Sequence, residues 1–450
     1  MRIASVILAA GMGKRMNSAL PKVLHALAGK AMIAYSIQAA MEVSDVPPVV
    51  VIGHGGELVQ QFVGDSGRCV VQQPQLGTAH ALMTAQPVLQ GQADLVVVTT
   101  ADMPLLTGKT LRRLVEAQKA HPGPFTMLTL VNDHPHGFGR IVRAPDGSVQ
   151  AIVEEAQATP EQLQIDELNA SVYCFRADWL WPALQRIQLS PKGEYYLTDT
   201  VAVAVQDGLA VQAISIPDPS EAMGVNNRIH LAEAESILRR RINEELMLAG
   251  VTFIDPASTY IQPGVQIGRD TVIYPNTHLR GGTVIGQDCQ IGPNTIIEDT
   301  RIGDRCTILS SVLEGALVED EVSMGPFGHL RKGAHLGRGV HMGNFGEVKS
   351  SYLGPGTKMG HFSYIGDAQI GEDVNIGAGT ITCNFDGEHK HKTRIGDHVF
   401  IGSDTMLVAP LEIGDGARTG AGSVVTHDVD PGDVVVGVPA RPFRKKSGNG

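Results

Sequence analysis

The sequence predicts an α/β domain in the first half of the chain, then one long helix, then a parallel β-helix. Three patterns predict this order. Apolar β-branched runs alternate with helical stretches, an amphipathic stretch follows near residues 226–250, and aliphatic residues then recur every six positions. With 450 residues, of which 43% are hydrophobic and 18% charged, the chain is long enough for two or three domains with large cores.

The first half contains five apolar runs typical of buried strands. They are RIASVILAA, VVVIG from residue 49, CVVQ from 69, DLVVVTTAD from 94 and FTMLTLV from 125. Near-continuous Val and Ile indicates strands buried on both faces, as in a parallel sheet covered by helices. We therefore expect an α/β domain over residues 1–227.

A long linker helix is predicted next, over residues 228–249. Apolar residues recur there every three or four positions, at Leu231, Ala234, Leu238, Ile242, Leu246 and Ala249. Asn226 or Asn227 can cap its start, and Gly250 its end.

Residues 250–450 carry a six-residue repeat. Aliphatic residues, often followed by Gly, recur in register over 261–297, from Val312 to Val348 and over 395–413, with shorter runs between them. This period fits neither a helix nor an ordinary strand and is the hexapeptide signature of a parallel β-helix, of about nine coils at three hexads per coil. Spacing does not fix the hand of the coil, and the usual crossover rule favours the right hand. So little surface is buried in each coil that we expect oligomerisation.

Composition narrows the possible partners. A net charge of −11 argues against a general nucleic-acid binder, and the one basic run, RPFRKK, is a short tail. No stretch reaches the roughly 18 apolar residues of a membrane span, and the N-terminus shows no cleavage-like site, so we expect no membrane insertion and a cytoplasmic protein. Five well-separated cysteines, without a CxxC pair, predict reduced structural thiols.

The loop LAAGMGKRMNSALPK, residues 8–22, follows the first strand. A glycine-rich turn between strand and helix lets backbone amides approach phosphate oxygens, but Gly-x-Gly alone is equally compatible with a plain tight turn. Lys14, Arg15 and Lys22 favour an anion, with a solvated basic surface as the alternative.

Taken with QPQLGTAHA, TTADMP, GFGRI, VEE, GEYYLTD and GVNNR, this loop resembles the sugar-1-phosphate nucleotidylyltransferases. With the hexapeptide half, and above all HFSYIGDAQIGEDVNIGAGTITCNFDG at 361–387, the chain resembles the family members that also carry an acetyltransferase. The resemblance covers residues 3–440. It implies a Rossmann-like nucleotidyltransferase domain, a left-handed β-helix over residues 250–450 and a homotrimer.

The same resemblance implies two reactions of UDP-N-acetylglucosamine synthesis for the cell wall. The second half would acetylate glucosamine-1-phosphate from acetyl-CoA, and the first would join N-acetylglucosamine-1-phosphate to UTP on Mg²⁺, releasing pyrophosphate. The implied metal ligands are Asp102 and Asn227. The implied nucleotide and sugar contacts are Leu8, Ala9, Gly11, Gly13, Arg15, Lys22, Gln72, Gly77, Thr78, Gly139, Glu154, Asn169 and Asn227.

For acetyl transfer the resemblance implies His361 as the base, and histidine titrates in the range this chemistry needs. Without that resemblance, a histidine on a β-helix is more often a solvated surface residue. The implied substrate and acetyl-CoA contacts are Arg331, Lys349, Tyr364, Asn375, Ala378, Asn384, Phe385, Lys390, Ser403 and Ala421. The hexad ladder breaks between Ile376 and Ile395, which predicts a projecting functional loop around CNFDGEHKHK, although a solvated loop is the alternative.

Some positions depart from the family pattern. Lys14 stands where Thr is common, Ala101 precedes Asp102 where Gly is common, Ala170-Ser171 replaces Thr-Gly, and Phe385 replaces Tyr. They leave the sugar and nucleotide preference open, and Ala101 could crowd a site that Gly keeps clear.

His329, His335 and His341, six residues apart, invite a metal interpretation that the coil contradicts. Successive hexads occupy successive faces, so we expect these side chains to point outward and apart.

Two rival functions stay open: a single-activity nucleotidylyltransferase with a purely structural coil, and a non-catalytic scaffold with a decayed nucleotide pocket.

Overall fold

The computed structural model describes residues 1–131 and 137–443, and these divide into two compact units, Met1–Leu238 and Arg239–Gly450. The end of the predicted basic tail, from residue 444 onward, lies outside the described residues. The helix Arg228–Leu248 contributes to both units, so domain limits at 227 and 250 stay a prediction.

The first unit is built on a twisted sheet flanked by helices. In chain order its described strands are β1 Ile3–Leu8, β2 Ala26–Leu27, β3 Lys30–Ala31, β4 Val49–Ile52, β5 Arg68–Val71, β6 Leu95–Thr100, β7 Phe125–Val131, β8 Arg140–Arg143, β9 Val149–Val153, β10 Glu167–Arg176 and β11 Gln212–Ser215. Its helices are α1 Met32–Met41, α2 Gly56–Val63, α3 Thr78–Leu89, α4 Gly108–Ala120, α5 Ala177–Leu184, α6 Thr200–Gln206 and the start of α7 Arg228–Leu248.

The sheet order is β11-β7-β10-β6-β1-β4-β5, and all five predicted strands are present. Burial on both faces is confirmed on β6, where Val96 and Val98 join one core cluster and Leu95 and Val97 another. The predicted parallel pairing is present among β1, β4, β5 and β6, but the sheet as a whole is mixed, because the unpredicted strand β10 runs antiparallel to both β6 and β7. The polar start of β10, Glu167 to Asn169, hid this strand from a search for apolar runs.

The linker helix is confirmed as α7. Its early residues Leu231 and Leu238 pack with Ala234 against the first unit's core, and Ile242 and Leu246 pack against the coil. The amide oxygen of Asn227 accepts a hydrogen bond from the backbone N–H of His230 at 2.9 Å, so Asn227 is the N-cap. Gly250 ends the helix region with φ +101°.

The second unit is a parallel β-helix with three faces. Face 1 carries Thr252–Phe253, Val272–Ile273, Gln290–Ile291, Thr307–Ile308, Ser323–Met324, His341–Met342, Lys358–Met359, Asn375–Ile376, Phe400–Ile401, Arg418–Thr419, Val434–Val436 and Arg441–Pro442. Face 2 carries Tyr260–Ile261, His278–Arg280, Ile296–Glu298, Val312–Glu314, His329–Leu330, Gly346–Lys349, Ser363–Gly366, Ile381–Cys383, Met406–Val408 and Val424–Val425. Face 3 carries Gln266–Ile267, Val284–Ile285, Arg301–Ile302, Leu317–Val318, His335–Leu336, Tyr352–Leu353, Ala368–Ile370, Thr393–Ile395 and Leu411–Ile413.

The described strands of face 3 number nine, in agreement with the predicted coil count. Nearly all marked hexad residues point into the core, but Val312 does not: Leu313 is buried in its place, because the step from this residue to the buried Val318 is five residues rather than six. The ladder also continues one step beyond Ile376, through buried Thr382, whose hydroxyl escaped an aliphatic pattern. The hand of the coil stays a prediction.

Candidate active sites

A cavity of about 540 Å³ opens in the first unit where β1, β5 and β6 end. Carboxyl ends of strands are the usual ligand position in such sheets. Nine of the predicted residues line it: Leu8, Ala9, Gly11, Lys22, Gln72, Gly77, Thr78, Asp102 and Glu154. Residues that are predicted to act together and come from distant segments of the chain therefore lie around one cavity.

The remaining predicted residues do not line this cavity. Gly13 has φ +57°, and a side chain there would bring a Cβ within 2.7 Å of the Lys22 Cβ, so only glycine fits against that lysine. Arg15 is exposed in the turn Lys14–Met16. The Gly139 carbonyl accepts the Asn169 N–H at 2.9 Å, and the Asn169 amide donates to the Tyr173 hydroxyl at 2.9 Å.

Three polar groups meet at the end of β6. The Lys22 ammonium lies 2.5 Å from an oxygen of Asp102 and 3.2 Å from the amide oxygen of Asn226. Asn226 therefore shares the Lys22 ammonium with Asp102, whereas the side-chain oxygen of Asn227, the predicted partner ligand, caps α7. The two asparagines are adjacent, and sequence alone could not decide which one turns toward Asp102.

The opposite wall is held by Gln72. Its side-chain amide donates to the Gly77 carbonyl at 2.9 Å and lies 3.1 Å from the His80 ring nitrogen. The Thr78 hydroxyl accepts the Leu197 N–H at 2.9 Å, which ties the start of α3 to the segment GEYYLTD. Both residues are therefore fixed before any ligand binds.

Glu154 stands at the sugar end of the predicted site. Burial raises the pKa of this carboxyl above its ordinary value, and nearby Asp199 raises it further, while a hydrogen bond from the Thr198 hydroxyl opposes the shift. A partly buried carboxylate of this kind is suited to accept a hydrogen bond from a substrate hydroxyl.

Sequence reasoning missed several lining residues. Gln75 donates to the Ala10 carbonyl at 2.6 Å and closes the glycine loop, and Glu194, Tyr196 and Thr198 also face the cavity. The segment GEYYLTD was the available signal for the last three. Ala101 packs in the core beside Ile7 and Ala9, so the expected crowding of the site is not seen.

Ser171 departs from the glycine common in the family and also lines the cavity. Its φ is +57°, at the irregularity of β10 between Asn169 and Tyr173. An L-residue in this region costs about 1–2 kcal/mol, and glycine loses about 0.5–1 kcal/mol more on folding than alanine does.

We predict that Ser171→Gly stabilises the first unit by about 0.5–1 kcal/mol, the difference between these two costs. Both tryptophans, Trp179 and Trp181, belong to this unit, so the urea midpoint of tryptophan fluorescence measures it. Ser310→Gly, at φ +43° in the coil, is the matched control and should leave that midpoint in place. A lower midpoint for Ser171→Gly would contradict the prediction.

In the second unit, four predicted residues form one column. The strands starting at Lys358, Asn375, Phe400 and Arg418 pair in register on face 1. His361, Ala378, Ser403 and Ala421 each stand three residues further on, at the same corner of four successive coils. Adjacent strands lie about 4.8 Å apart, so this column is a straight track along the coil.

Predicted cations gather on face 2 beside this corner. The pKa of Lys349 is lowered from its ordinary value, first by the charge of Lys390 and then by that of Arg331. The Arg331 guanidinium contacts Glu347 at 3.1 Å. Like charges held together in this way form a site that an anion would stabilise.

Polar groups complete this face. A Cβ at Gly366 would meet the Tyr364 hydroxyl at 2.3 Å and the Asn384 amide nitrogen at 2.8 Å, so both groups lie over that glycine. The Asn384 amide donates to Asp367 at 2.6 Å. Asn375 points outward on face 1, in register with Lys358 and Phe400.

The predicted projecting loop is present and ordered by Asp386. Its carboxylate accepts the N–H of Glu388 at 2.8 Å and of His389 at 2.7 Å, and it lies 2.7 Å from the His391 ring. The Phe385 side chain is exposed, and the backbone of Phe385 forms an isolated antiparallel β-bridge with that of Lys390. The hydrogen bond from His389 is the largest cause of the strongly lowered pKa of Asp386.

A depressed carboxyl pKa stabilises the loop above the unfolded value near 4, and this stabilisation is lost as pH falls through the folded value. We therefore predict that Asp386→Ala loosens the loop at neutral pH, seen as faster hydrogen exchange at Glu388 and His389. Acetyl transfer should fall several-fold while uridylyl transfer stays unchanged. Glu388→Ala is the matched control, and equal effects of both substitutions would count against the proposed role of Asp386.

His329, His335 and His341 lie on faces 2, 3 and 1, so their predicted divergence is confirmed.

Within residues 1–131 and 137–443, no cluster of three or more His, Cys, Asp or Glu side chains is placed to hold a metal. Over the same residues, no helix has the length and apolar character needed to cross a membrane.

Comparisons with known proteins give matches in both halves of the chain. A family model described as a MobA-like NTP transferase domain matches residues 5–192, and one described as bacterial transferase hexapeptide (six repeats) matches 282–313 and 392–427. The bifunctional protein GlmU of Heliobacterium modesticaldum is 48% identical over 433 residues, covering 96% of this chain and 94% of that protein. Those of Pelobacter propionicus and Streptococcus thermophilus are 45% and 44% identical over 96% of this chain, and the alignments cover 95% and 94% of those proteins.

The chain belongs to the GlmU family. Family membership confirms the predicted order of a nucleotidyltransferase domain followed by a hexapeptide coil. It also confirms a bifunctional transferase with uridylyltransferase and acetyltransferase activities. The two rival functions, a purely structural coil and a non-catalytic scaffold, do not fit a bifunctional GlmU chain.

Proposed function

We propose that the chain makes UDP-N-acetylglucosamine for cell-wall peptidoglycan and lipopolysaccharide in two steps. The coil acetylates glucosamine-1-phosphate with acetyl-CoA, and the first unit then transfers uridylyl from UTP to N-acetylglucosamine-1-phosphate. The observation that carries this proposal is the alignment with GlmU proteins over 96% of the chain, which spans both sites. Because UTP and acetyl-CoA are intracellular metabolites, we place both reactions in the cytoplasm.

For uridylyl transfer the sugar phosphate oxygen attacks the α-phosphorus of UTP, and pyrophosphate leaves in line. Such a reaction needs alignment and charge neutralisation rather than a covalent residue. Backbone at Gly11 and Gly13, with Arg15 and Lys22, would hold the triphosphate, and Gln72, Gly77 and Thr78 the uracil. Gly139, Glu154 and Asn169 would contact the sugar.

Asp102 and Asn226 fit a Mg²⁺ ion. They offer carboxylate and amide oxygens, the donors that this cation prefers, and the Lys22 ammonium already lies within 3.2 Å of both. When bound, Mg²⁺ would neutralise charge on the transferring phosphates. Asp102, at the carboxyl end of β6 and opposite the glycine loop, would hold the cation in position.

For acetyl transfer the amine of glucosamine-1-phosphate attacks the thioester carbonyl, and the thiol of coenzyme A leaves. His361 would take the proton from the attacking amine. Arg331 and Lys349 would bind the sugar phosphate, and Lys390, whose charge also acts on Lys349, would bind the phosphates of coenzyme A. The column Ala378, Ser403 and Ala421 would guide the extended arm of acetyl-CoA, with Tyr364, Asn375, Asn384 and Phe385 around the sugar and the thioester.

We propose a homotrimer on the basis of an aromatic column beside His361. Phe327, Phe345 and Phe362 occupy equivalent corner positions and are 58%, 63% and 56% exposed. The first two rings stack with centroids 5.2 Å apart. Another copy of the chain covering these rings would remove apolar surface from water, and light scattering should then give three times the mass of the chain.

Two separate assays test the proposed reactions. With Mg²⁺ and UTP, N-acetylglucosamine-1-phosphate should release pyrophosphate, whereas glucose-1-phosphate should react poorly. With acetyl-CoA, glucosamine-1-phosphate should release the free thiol. Equal rates with both sugar phosphates in the first assay would contradict the proposed substrate.

A further inference from the structure

Lys22 occupies an unusual position for a phosphate-binding residue. Its ammonium lies between Asp102, at 2.5 Å, and Asn226, at 3.2 Å, the two oxygens that the proposed function gives to the divalent cation. The lysine side chain is only 12% exposed and that of Asp102 25% exposed. The ammonium thus fills the same space that the cation would need.

We propose that Lys22 acts as an internal competitor of the divalent cation, so that the metal site opens only when the ammonium moves to the phosphates of the nucleotide. This inference rests on the proposed metal site at Asp102 and Asn226. The stem of Lys22 packs against Gly13, whose missing Cβ leaves room for it. The start of the Lys22 side chain is therefore held at the glycine loop, while its terminal ammonium can turn either toward Asp102 or toward the phosphates of a bound nucleotide.

Charge makes the two states exclusive. Two cations within about 4 Å repel strongly in a partly buried site, where screening by water is weak. A triphosphate on the glycine loop offers the ammonium new anionic partners and leaves Asp102 free. By linkage, if bound nucleotide raises the affinity for the cation by a given factor, bound cation raises the affinity for the nucleotide by the same factor.

The decisive measurement is Mn²⁺ binding to the full-length protein without nucleotide, followed by electron paramagnetic resonance. Lys22→Met keeps the packed stem and removes the charge, so Mn²⁺ should bind at least tenfold more tightly than to the wild type. Lys22→Arg keeps a cation and should bind Mn²⁺ as weakly as the wild type. Arg15→Ala removes an equal charge from the same loop, on a side chain that is exposed, and should change the affinity less than twofold.

A second substitution locates the effect. Lys22→Met combined with Asp102→Asn should return Mn²⁺ affinity to the wild-type level. Affinity of Lys22→Met no higher than that of Arg15→Ala would overturn the competition, and so would tight binding that survives Asp102→Asn. The proposed metal site is tested separately, through Mg²⁺-dependent uridylyl transfer in Asp102→Asn alone, so failure of one proposal is distinguishable from failure of the other.

Discussion

Replacing His361 by Ala is expected to lower acetyl transfer by roughly 10²–10⁴-fold, the usual contribution of a positioned general base. The attacking amine must lose a proton as the tetrahedral oxyanion forms, and solvent water is a poor substitute for imidazole. His361 is exposed at a corner of the coil, while its neighbours Met359 and Ile365 carry the inward packing. The substitution should therefore leave the coil folded.

Uridylyl transfer should be unchanged in His361→Ala, because its proposed residues all belong to the other compact unit. The two assays, free thiol and pyrophosphate, are run on the same preparation. His341→Ala is the matched control: it removes an exposed coil histidine on face 1 and should spare both reactions. Survival of acetyl transfer in His361→Ala would show that the base lies elsewhere.

Periodicity predicted the coil well, because each inward residue stacks on its equivalent in the next coil. The misses have physical causes. A step of five residues before Val318 moved the buried position from Val312 to Leu313, and Thr382 faces inward although its hydroxyl hides it from an aliphatic pattern. In the first unit, the search for apolar runs found β6, which begins with four apolar residues, but missed β10, which begins with the largely polar residues Glu167 to Asn169.

Resemblance located most of the cavity wall, since motif spacing fixes which strand ends carry the residues. It could not decide between adjacent side chains. Asn226 and Asn227 share one motif, yet the start of α7 commits the second to its cap and leaves the first beside Lys22. The contact between Lys22 and Asp102 joins residues 80 positions apart, and no sequence pattern reports such a pair.

Replacing Asp102 by Asn is expected to lower uridylyl transfer by about 10²–10³-fold while acetyl transfer is spared. The size follows from losing one preorganised electrostatic contact in the transition state, where negative charge spreads over the transferring phosphoryl oxygens. Asparagine has nearly the same shape, so the end of β6 and the backbone bond from the Val225 N–H to the Asp102 carbonyl, at 2.8 Å, should persist. Pyrophosphate release as a function of Mg²⁺ concentration is the measurement.

The adjacent asparagines supply the matched pair for this site. Asn226→Ala removes the second proposed oxygen and should raise the Mg²⁺ concentration needed for half-maximal uridylyl transfer. Asn227→Ala removes only the cap of α7 and should cost about 1 kcal/mol of stability with the same Mg²⁺ requirement as the wild type. The opposite pattern would restore Asn227 as the ligand, because a side chain that merely caps a helix cannot change how a reaction depends on its metal.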